Sequence, residues 1–208
     1  FDNSDFLDVC EYLLSRGEII TKSYEYFWSP TKKNKFHRSI IIPFYYKDMI
    51  VGYSSRRIDK TEKVRYHAHT PLNYLFMNHN LMKKNRKYVI LVEGVFDSIA
   101  IDGVGVLGGS INKTQIQWIN NSFKEVIVVP DREKSGSFLV DIALENNWWV
   151  SIPSYTDTPL DESKSNYSWV WHKDVKDCAD AVKRYGRLFT ISSILENKIK
   201  DKLKIEIH

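Results

Sequence analysis

Three groups of acidic side chains follow apolar segments of this chain. The first group follows the apolar run at 88–92, the second follows the run at 125–130, and the third lies in the last quarter of the sequence. Their members are Glu93 and Asp97, Asp131 and Glu133, and Asp174 and Asp177. Strand ends in an open α/β sheet lie side by side, where such folds bind ligands. Carboxylates gathered there predict a site for a hard divalent cation, and such a cation usually acts on phosphate.

Small and basic residues accompany the first two acidic pairs. Gly94 follows Glu93, and a glycine at this point allows the chain to turn sharply from strand to helix. A spacing of four residues across such a turn directs Glu93 and Asp97 into one cleft. Gly136 lies where the next helix is predicted to begin, so backbone N–H groups there are expected to meet a phosphate. Lys134 is expected to bind phosphate with its side chain.

The second acidic pair is separated by a single arginine. In an extended chain Asp131 and Glu133 point to one side, and Arg132 points to the other. Each acidic group also has a simpler explanation, because acidic residues stabilise helix N-termini and are common in polar loops. That alternative is strongest for Asp174 and Asp177. The combination of the three groups favours a cation site more than any one of them does.

Basic residues are concentrated ahead of the acidic groups. The 208 residues include 30 Lys and Arg against 26 Asp and Glu, so the net charge of +4 does not by itself indicate a nucleic-acid partner. Lys and Arg are nevertheless crowded into 32–38, 47–65 and 83–87. A protein that acts on polyanions needs such a basic surface beside a cation site. The alternative is an ordinary solvated surface.

The hydrophobic pattern predicts the elements that position these residues. An amphipathic helix is predicted over 5–16, and a β-hairpin over 39–57 with its turn at Lys47 and Asp48. Beyond these, strands are predicted at 88–92, 104–107, 125–130 and 148–152, and helices at 96–101, 112–120 and 135–146. This alternation predicts an α/β fold with a parallel sheet covered by helices.

The chain is expected to have three parts. They are an N-terminal basic α+β subdomain over 1–86, a Rossmann-like α/β domain over 87–155, and a C-terminal part over 156–208. The last part is predicted to contain an exposed insertion at 156–168, the third acidic group, and a mostly helical tail over 174–204. Because the first residue is Phe rather than Met, the sequence is expected to be a fragment of a longer protein.

The two cysteines and the length of the apolar segments indicate the cellular environment of the protein. Cys10 and Cys178 form no Cys-x-x-Cys motif, so no structural zinc module is expected in this chain. A reducing environment is the default for such sparse cysteines. No apolar stretch approaches the about 20 residues that cross a bilayer. We therefore expect a cytoplasmic protein without membrane contact.

The two strand-end motifs resemble the signatures of the TOPRIM domain, which is shared by bacterial and phage DNA primases, topoisomerases and some nucleases. The first motif is Glu93-Gly94-Val95-Phe96-Asp97, and the second is Asp131-Arg132-Glu133-Lys134-Ser135-Gly136. The surroundings resemble DnaG-type primases, and the tail is similar to that of phage primases. The similar segments are 41–44, 50–53, Arg56 or Arg57, Arg65-Tyr66, 173–177 and 181–186. The resemblance extends from about residue 6 to about residue 195, and it is most specific over 88–136.

This resemblance implies roles for the first four acidic residues. Glu93 is expected to be the essential acid or base near the reacting centre and to share in metal binding, with Asp97 in support. Asp131 and Glu133 are expected to hold divalent metal. The second motif is usually Asp-x-Asp, so Glu133 keeps the charge on a longer side chain and changes the metal geometry.

The remaining predicted site residues follow from the same resemblance. Asp174 and Asp177 are expected to complete the metal site, and Lys134, Gly94 and Gly136 to bind the nucleotide phosphates. The basic region of the first subdomain is expected to guide the template and the incoming nucleotide. Its members are Arg56, Arg57, Lys63, Arg65 and Tyr66.

The resemblance implies a primase catalytic core, most like that of a phage. Such a core synthesises short RNA on single-stranded DNA from NTPs, using two or more Mg²⁺ or Mn²⁺ ions for nucleotidyl transfer. Its partners are the template, NTPs, the nascent RNA and a replicative helicase. The alternatives are a TOPRIM nuclease and a non-catalytic module that binds nucleic acid or a helicase. A topoisomerase is disfavoured, because no large domain is present to carry a strand-cleaving tyrosine.

Overall fold

A small α+β unit begins the chain. The computed structural model describes residues 3–59, 61, 66–108, 110–132, 138–156 and 169–201. Helices α1 (Asn3–Ser15) and α2 (Glu18–Ser23) precede an antiparallel sheet of β1 (Ser39–Tyr46), β2 (Met49–Arg57) and β3 (Tyr66–His69), in the order β1-β2-β3. The predicted hairpin is confirmed. Its turn residues Lys47 and Asp48 both have positive φ, as a two-residue hairpin with right-handed strand twist requires.

A five-stranded sheet forms the centre of the rest of the chain. The elements in order are a 3₁₀ helix (Asn78–Met82), β4 (Tyr88–Val92), α3 (Val95–Ile101), β5 (Val104–Gly105), α4 (Lys113–Asn120), β6 (Glu125–Val128), α5 (Phe138–Glu145), β7 (Trp149–Ser151), β8 (Tyr155–Thr156), β9 (Trp171–His172), α6 (Cys178–Tyr185), α7 (Arg187–Glu196) and β10 (Lys198–Ile199). The strand order is β10-β7-β6-β4-β5. Strands β5, β4, β6 and β7 are parallel, and β10 joins the edge antiparallel to β7. The prediction of a parallel sheet with helices is therefore confirmed.

Side-chain alternation along the strands divides the interior into two cores. In β4, Val89 and Leu91 belong to one core, and Ile90 and Val92 belong to the other. Because both faces are covered, the strand is apolar throughout, as buried parallel strands are. Helices α4 and α5 cover the first face. Helices α3, α6 and α7 cover the second face together with apolar residues of the N-terminal unit, such as Phe44.

The structure differs from the predicted elements in its short elements and in the tail. Helix α2 and strands β3, β8 and β9 were not predicted, since all are short and depend on contacts made elsewhere in the chain. The tail is helical only as far as Glu196, and β10 follows, because pairing with β7 satisfies its backbone and buries part of Ile199. Most of the predicted insertion, 157–168, lies outside the described residues. No helix in the described part is long and apolar enough to cross a membrane.

Candidate functional site

The turn between β4 and α3 places the first acidic motif. Gly94 is the N-cap residue of α3, with φ of −94°, a conformation open to any residue. The predicted reason for this glycine, a sharp turn, is therefore wrong. A Cβ atom at Gly94 would lie 2.5 Å from Oδ2 of Asp97, so the position needs the absence of a side chain. Asp97 is only 8% exposed, and its Oδ1 accepts a hydrogen bond of 2.9 Å from the backbone N–H of Ala179.

Glu93 lies at the carboxyl end of β4 and is half-buried. Its backbone carbonyl accepts a hydrogen bond of 3.2 Å from the N–H of Leu107. The next residue, Gly94, lines the cleft that contains Asp97. This position at the end of a central strand is the one expected from the sequence.

The chain leaving β6 places the second acidic motif. Asp131 lines the same cleft as Asp97. The next residue, Arg132, turns away from the cleft, as expected for alternating side chains. Its guanidinium lies 3.8 Å from the ring centroid of Tyr155, and its Nη1 donates a hydrogen bond to the carbonyl of Lys173. Arg132 therefore fastens the loop after β6 to the segment that leads into α6. The predicted ligands and phosphate-binding residues Glu133, Lys134 and Gly136 lie outside the described residues.

The start of α6 places one member of the third acidic group. Asp177 is the N-cap residue of α6, where its side chain accepts a hydrogen bond of 2.8 Å from the N–H of Asp180, and it lines the cleft. The Asp174 side chain is 71% exposed, with its carboxylate 3.2 Å from Nδ1 of His172. The structure thus brings Asp177, and not Asp174, to the cleft. Burial raises the pKa of the neighbouring Cys178 thiol, which is a packing residue.

Three carboxylates converge in the cleft, namely Asp97, Asp131 and Asp177. Burial, followed by the negative charge of Asp177, raises the pKa of Asp97 to about 8. Asp131 adds to this rise, while the Ala179 N–H and the charge of Arg16 oppose it. Burial is also the main cause that raises the pKa of Asp177. Crowded carboxylates whose pKa values are raised by burial and mutual repulsion are a feature of functional sites.

The N-terminal unit supplies further lining residues of the cleft. The cleft has a volume of about 330 Å³, and Arg16, Phe44, Ser54 and Tyr66 line it together with the acidic residues. The Nε of Arg16 is buried and forms no hydrogen bond within the described part of the chain. Its guanidinium lies 4.8 Å from the ring centroid of Phe96. Arg16 is thus a cation held beside the carboxylates.

Arg16 was not predicted as a site residue. In the sequence it ends the first helix just before Gly17, nearly 80 residues ahead of the first acidic motif. The only signal there is an arginine followed by a glycine at a helix end, which usually indicates a helix stop. Its place in the cleft depends on the packing of the N-terminal unit against α3.

The predicted template-binding residues are only partly described. Tyr66 lines the cleft, and the guanidinium of Arg56 lies 4.0 Å from its ring centroid. The Nε of Arg57 lies 3.5 Å from a carboxylate oxygen of Asp59. The predicted residues Lys63 and Arg65 lie outside the described part.

The donor types in the cleft suit a hard cation, because all three acidic side chains offer carboxylate oxygens. Within the described residues, however, no three His, Cys, Asp or Glu side chains are arranged closely enough to hold a metal ion. The described carboxylates alone therefore do not form a complete metal site. Glu133, the remaining predicted acid of the second motif, is outside the described part.

Replacing Gly94 with alanine is expected to displace the Asp97 carboxylate, since the new Cβ would lie 2.5 Å from Oδ2. We expect a loss of several degrees in Tm and a loss of any catalytic activity of about tenfold or more. Gly108→Ala is the matched control, because a Cβ there meets no atom within 4 Å. Equal Tm values for the two variants would contradict the close packing described here.

The raised pKa of Asp97 predicts a pH-dependent stability. In the unfolded chain this carboxyl titrates near pH 3.9, whereas burial raises its pKa to about 8 in the folded chain. The folded state therefore binds the proton more tightly, and stability is lost as the pH rises between these values. In EDTA, Tm is expected to fall from pH 5 to pH 8.5, and the fall should be smaller in Asp97→Asn. The exposed Asp141→Asn serves as control; equal slopes in all three proteins would rule out the shift.

Comparison with known proteins shows a distant relationship to DNA primases. No protein-family model matches the chain. It is 29% identical over 134 residues to a DNA primase of Mycoplasma pneumoniae. The match covers 57% of this chain and 22% of that protein. The chain therefore spans about a fifth of the length of this curated relative. The expected similarity to DNA primases is confirmed at this level.

A solved structure shares the fold. The crystal structure of the Aquifex aeolicus primase, containing its zinc-binding and RNA polymerase domains, matches with a TM-score of 0.54 at 20% identity. The match covers 84% of this chain and 44% of that chain. The mixed α/β arrangement described above is therefore similar to a primase fold.

Proposed function

We propose that this chain is the catalytic core of a DnaG-type DNA primase with a TOPRIM arrangement, most like the primases of phages. The observation that carries the proposal is the cleft in which Asp97, Asp131 and Asp177 face Arg16. The carboxylates lie at the carboxyl ends of parallel strands or beside them, which is where open α/β sheets bind ligands. The distant primase relative and the shared fold support the same assignment.

Most of the carboxylates would serve as metal ligands. Asp131 and Asp177, with Glu93 and Glu133, would hold Mg²⁺ or Mn²⁺. Asp174 would not share in this ligand set, because its exposed side chain pairs with His172 away from the cleft. When bound, two or more such ions supply charge neutralisation of the triphosphate and a lowered pKa of the attacking 3′-hydroxyl.

Asp97 positions the start of α6. Its Oδ1 accepts a hydrogen bond from the Ala179 N–H, and this contact fixes the helix end that carries Asp177. Two buried carboxylates placed side by side repel each other, and their pKa values rise. A bound cation would offset this repulsion, because positive charge lowers both pKa values.

The reaction itself requires an acid or base beside the reacting centre. In the proposed step the 3′-hydroxyl oxygen forms a bond to the α-phosphorus of the incoming NTP. The bond from that phosphorus to the bridging oxygen breaks, and pyrophosphate leaves. Glu93 accepts the hydroxyl proton, and its position directly after β4 suits this role.

The wall formed by the N-terminal unit would bind the nucleotide and the template. Arg16 is placed to bind a phosphate, because this cation lines the same cleft as the carboxylates. Tyr66, with Arg56 over its ring, offers an aromatic surface on which a template base can stack. Arg57 and, outside the described part, Lys63 and Arg65 would extend this surface along the backbone of the template.

The test is ribonucleotide incorporation on single-stranded DNA in the presence of Mg²⁺ or Mn²⁺. The proposal predicts short RNA products that require both the template and the metal. Metal-dependent cutting of the template without RNA synthesis would instead identify a nuclease. Template binding without either reaction, even with a zinc-binding module of a primase added in trans, would identify a non-catalytic module. A replicative helicase partner and a cytoplasmic location stay predictions of the same assignment.

A further inference from the structure

A second concave surface lies at the opposite edge of the central sheet. This groove has a volume of about 760 Å³ and is formed by the 3₁₀ helix, the end of α4 and the segments leading into β4 and β6. Residues that precede these two strands lie at their amino ends, whereas the acidic cleft lies at their carboxyl ends. A strand of five residues separates the two edges by roughly 15 Å. The groove is therefore distinct from the proposed catalytic site.

The groove presents large apolar side chains to solvent. Phe123 is 94% exposed, Met82 is 71% exposed and Trp118 is 45% exposed, and the buried Leu81 lies beneath them. Isolated exposed apolar residues are common, but a contiguous set around a concavity marks an interaction site.

The backbone conformation at Phe123 holds its side chain in solvent. It adopts φ of +53°, a left-handed conformation that is uncommon for a bulky side chain. A hydrogen bond of 3.2 Å from its N–H to the carbonyl of Asn120 fixes this turn at the end of α4. The chain therefore presents an aromatic ring to solvent from a conformation that few residues of its type adopt.

The charges around the groove are all positive. Lys84 and Lys87 are exposed on its rim, and within the described residues neither forms an ion pair with a carboxylate. Two further cations of the lining are engaged in the fold: Arg86 binds Asp102, and Lys124 donates to two backbone carbonyls. No described lining residue is acidic. The groove thus combines an apolar floor with a basic rim.

We propose that this groove binds an acidic amphipathic segment of another protein. An amphipathic helix laid in a groove buries apolar side chains at i, i+3, i+4 and i+7, and the apolar floor around Met82 and Leu81 suits such side chains. Carboxylates on the flanks of the segment complement Lys84 and Lys87. A nucleic-acid strand fits less well, because it needs a row of cations along its backbone, whereas two of the four lining cations, Arg86 and Lys124, are engaged within the fold.

The test uses a fluorescein-labelled helical peptide with leucine and phenylalanine on one face and glutamate elsewhere, measured by fluorescence anisotropy with the whole chain. Its matched partner has lysine in place of glutamate. The variants are Phe123→Ser and the double change Lys84→Glu and Lys87→Glu. The controls are Leu188→Ser, an apolar residue on α7 that is 82% exposed, and Lys113→Glu, at the other end of α4. Circular dichroism and thermal unfolding verify that each variant is folded.

The proposal predicts saturable binding of the acidic peptide, with Kd below about 100 µM. Each groove variant should weaken binding about tenfold or more, each control less than about twofold, and the basic peptide should not saturate. Failure of the acidic peptide to saturate up to about 1 mM, or equal affinities for groove and control variants, would overturn the proposal. So would displacement of the peptide by oligothymidylate with the same sensitivity to the groove variants, which would identify a nucleic-acid site.

Discussion

Replacement of Glu93 by glutamine is expected to abolish template-directed RNA synthesis, with a loss of about 10³-fold or more. The amide keeps the size of the side chain but can neither accept a proton nor provide a charged ligand at the carboxyl end of β4. Because Glu93 is half-buried rather than part of the packed core, the variant should keep the Tm of the native chain to within a few degrees. The measurement is single-turnover incorporation of labelled ribonucleotides on single-stranded DNA.

The matched control for this variant is Glu145→Gln, an exposed residue at the end of α5 that is remote from the cleft. It should incorporate ribonucleotides at the native rate. A Glu93→Gln chain that retains more than about a tenth of the native rate would remove Glu93 from the chemistry. The proposed acid or base would then have to be sought among the other carboxylates of the cleft.

Replacement of Arg16 by alanine is expected to lower kcat/KM for the incoming ribonucleotide by about 10²-fold. Arg16 lines the cleft that contains the three carboxylates, and a guanidinium there can pair with a phosphate of the bound ribonucleotide. Arg16→Lys should be intermediate, because lysine keeps the charge but not the planar pair of donors. Steady-state kinetics with the ribonucleotide as the varied substrate will separate these cases.

A structural effect of the Arg16 change must be separated from a loss of phosphate binding. Arg16 lies 4.8 Å from the ring centroid of Phe96, so its removal also deletes a stacking contact. Arg184→Ala is the matched control, since it removes an exposed arginine that lies 5.6 Å from the ring centroid of Tyr185. Arg16→Ala and Arg184→Ala with equal kcat/KM would contradict a role for Arg16 in the cleft.

The central sheet and its acidic edge could be predicted from the sequence because their signals are local. An unbroken apolar run such as that of β4 is typical of a strand buried on both faces, and the acidic residue that follows it must lie at the sheet edge. For the same reason Asp97 and Asp131 were both expected in one cleft, and the structure places them there.

The parts of the site that the sequence did not predict depend on contacts between distant segments. The sequence alone does not distinguish Asp174 from Asp177 as a site residue. In the structure only Asp177 lines the cleft, because it caps α6, whereas Asp174 pairs with His172. Arg16, which lies between α1 and α2, reaches the cleft through the packing of α2 against α3 and α6. Gly94 was expected, although for the wrong reason, since a steric conflict with Asp97 cannot be read from backbone preferences.

The most direct test of the account is Mn²⁺ binding by the isolated chain, followed by electron paramagnetic resonance of the free ion. The native chain is expected to bind Mn²⁺ in competition with Mg²⁺, and Asp131→Asn should weaken that binding about tenfold or more. The exposed Asp141→Asn should bind like the native chain. If native and Asp131→Asn chains bind Mn²⁺ with the same affinity, or neither binds it, the acidic cleft is not a divalent-cation site and the proposed nucleotidyl transfer there is contradicted.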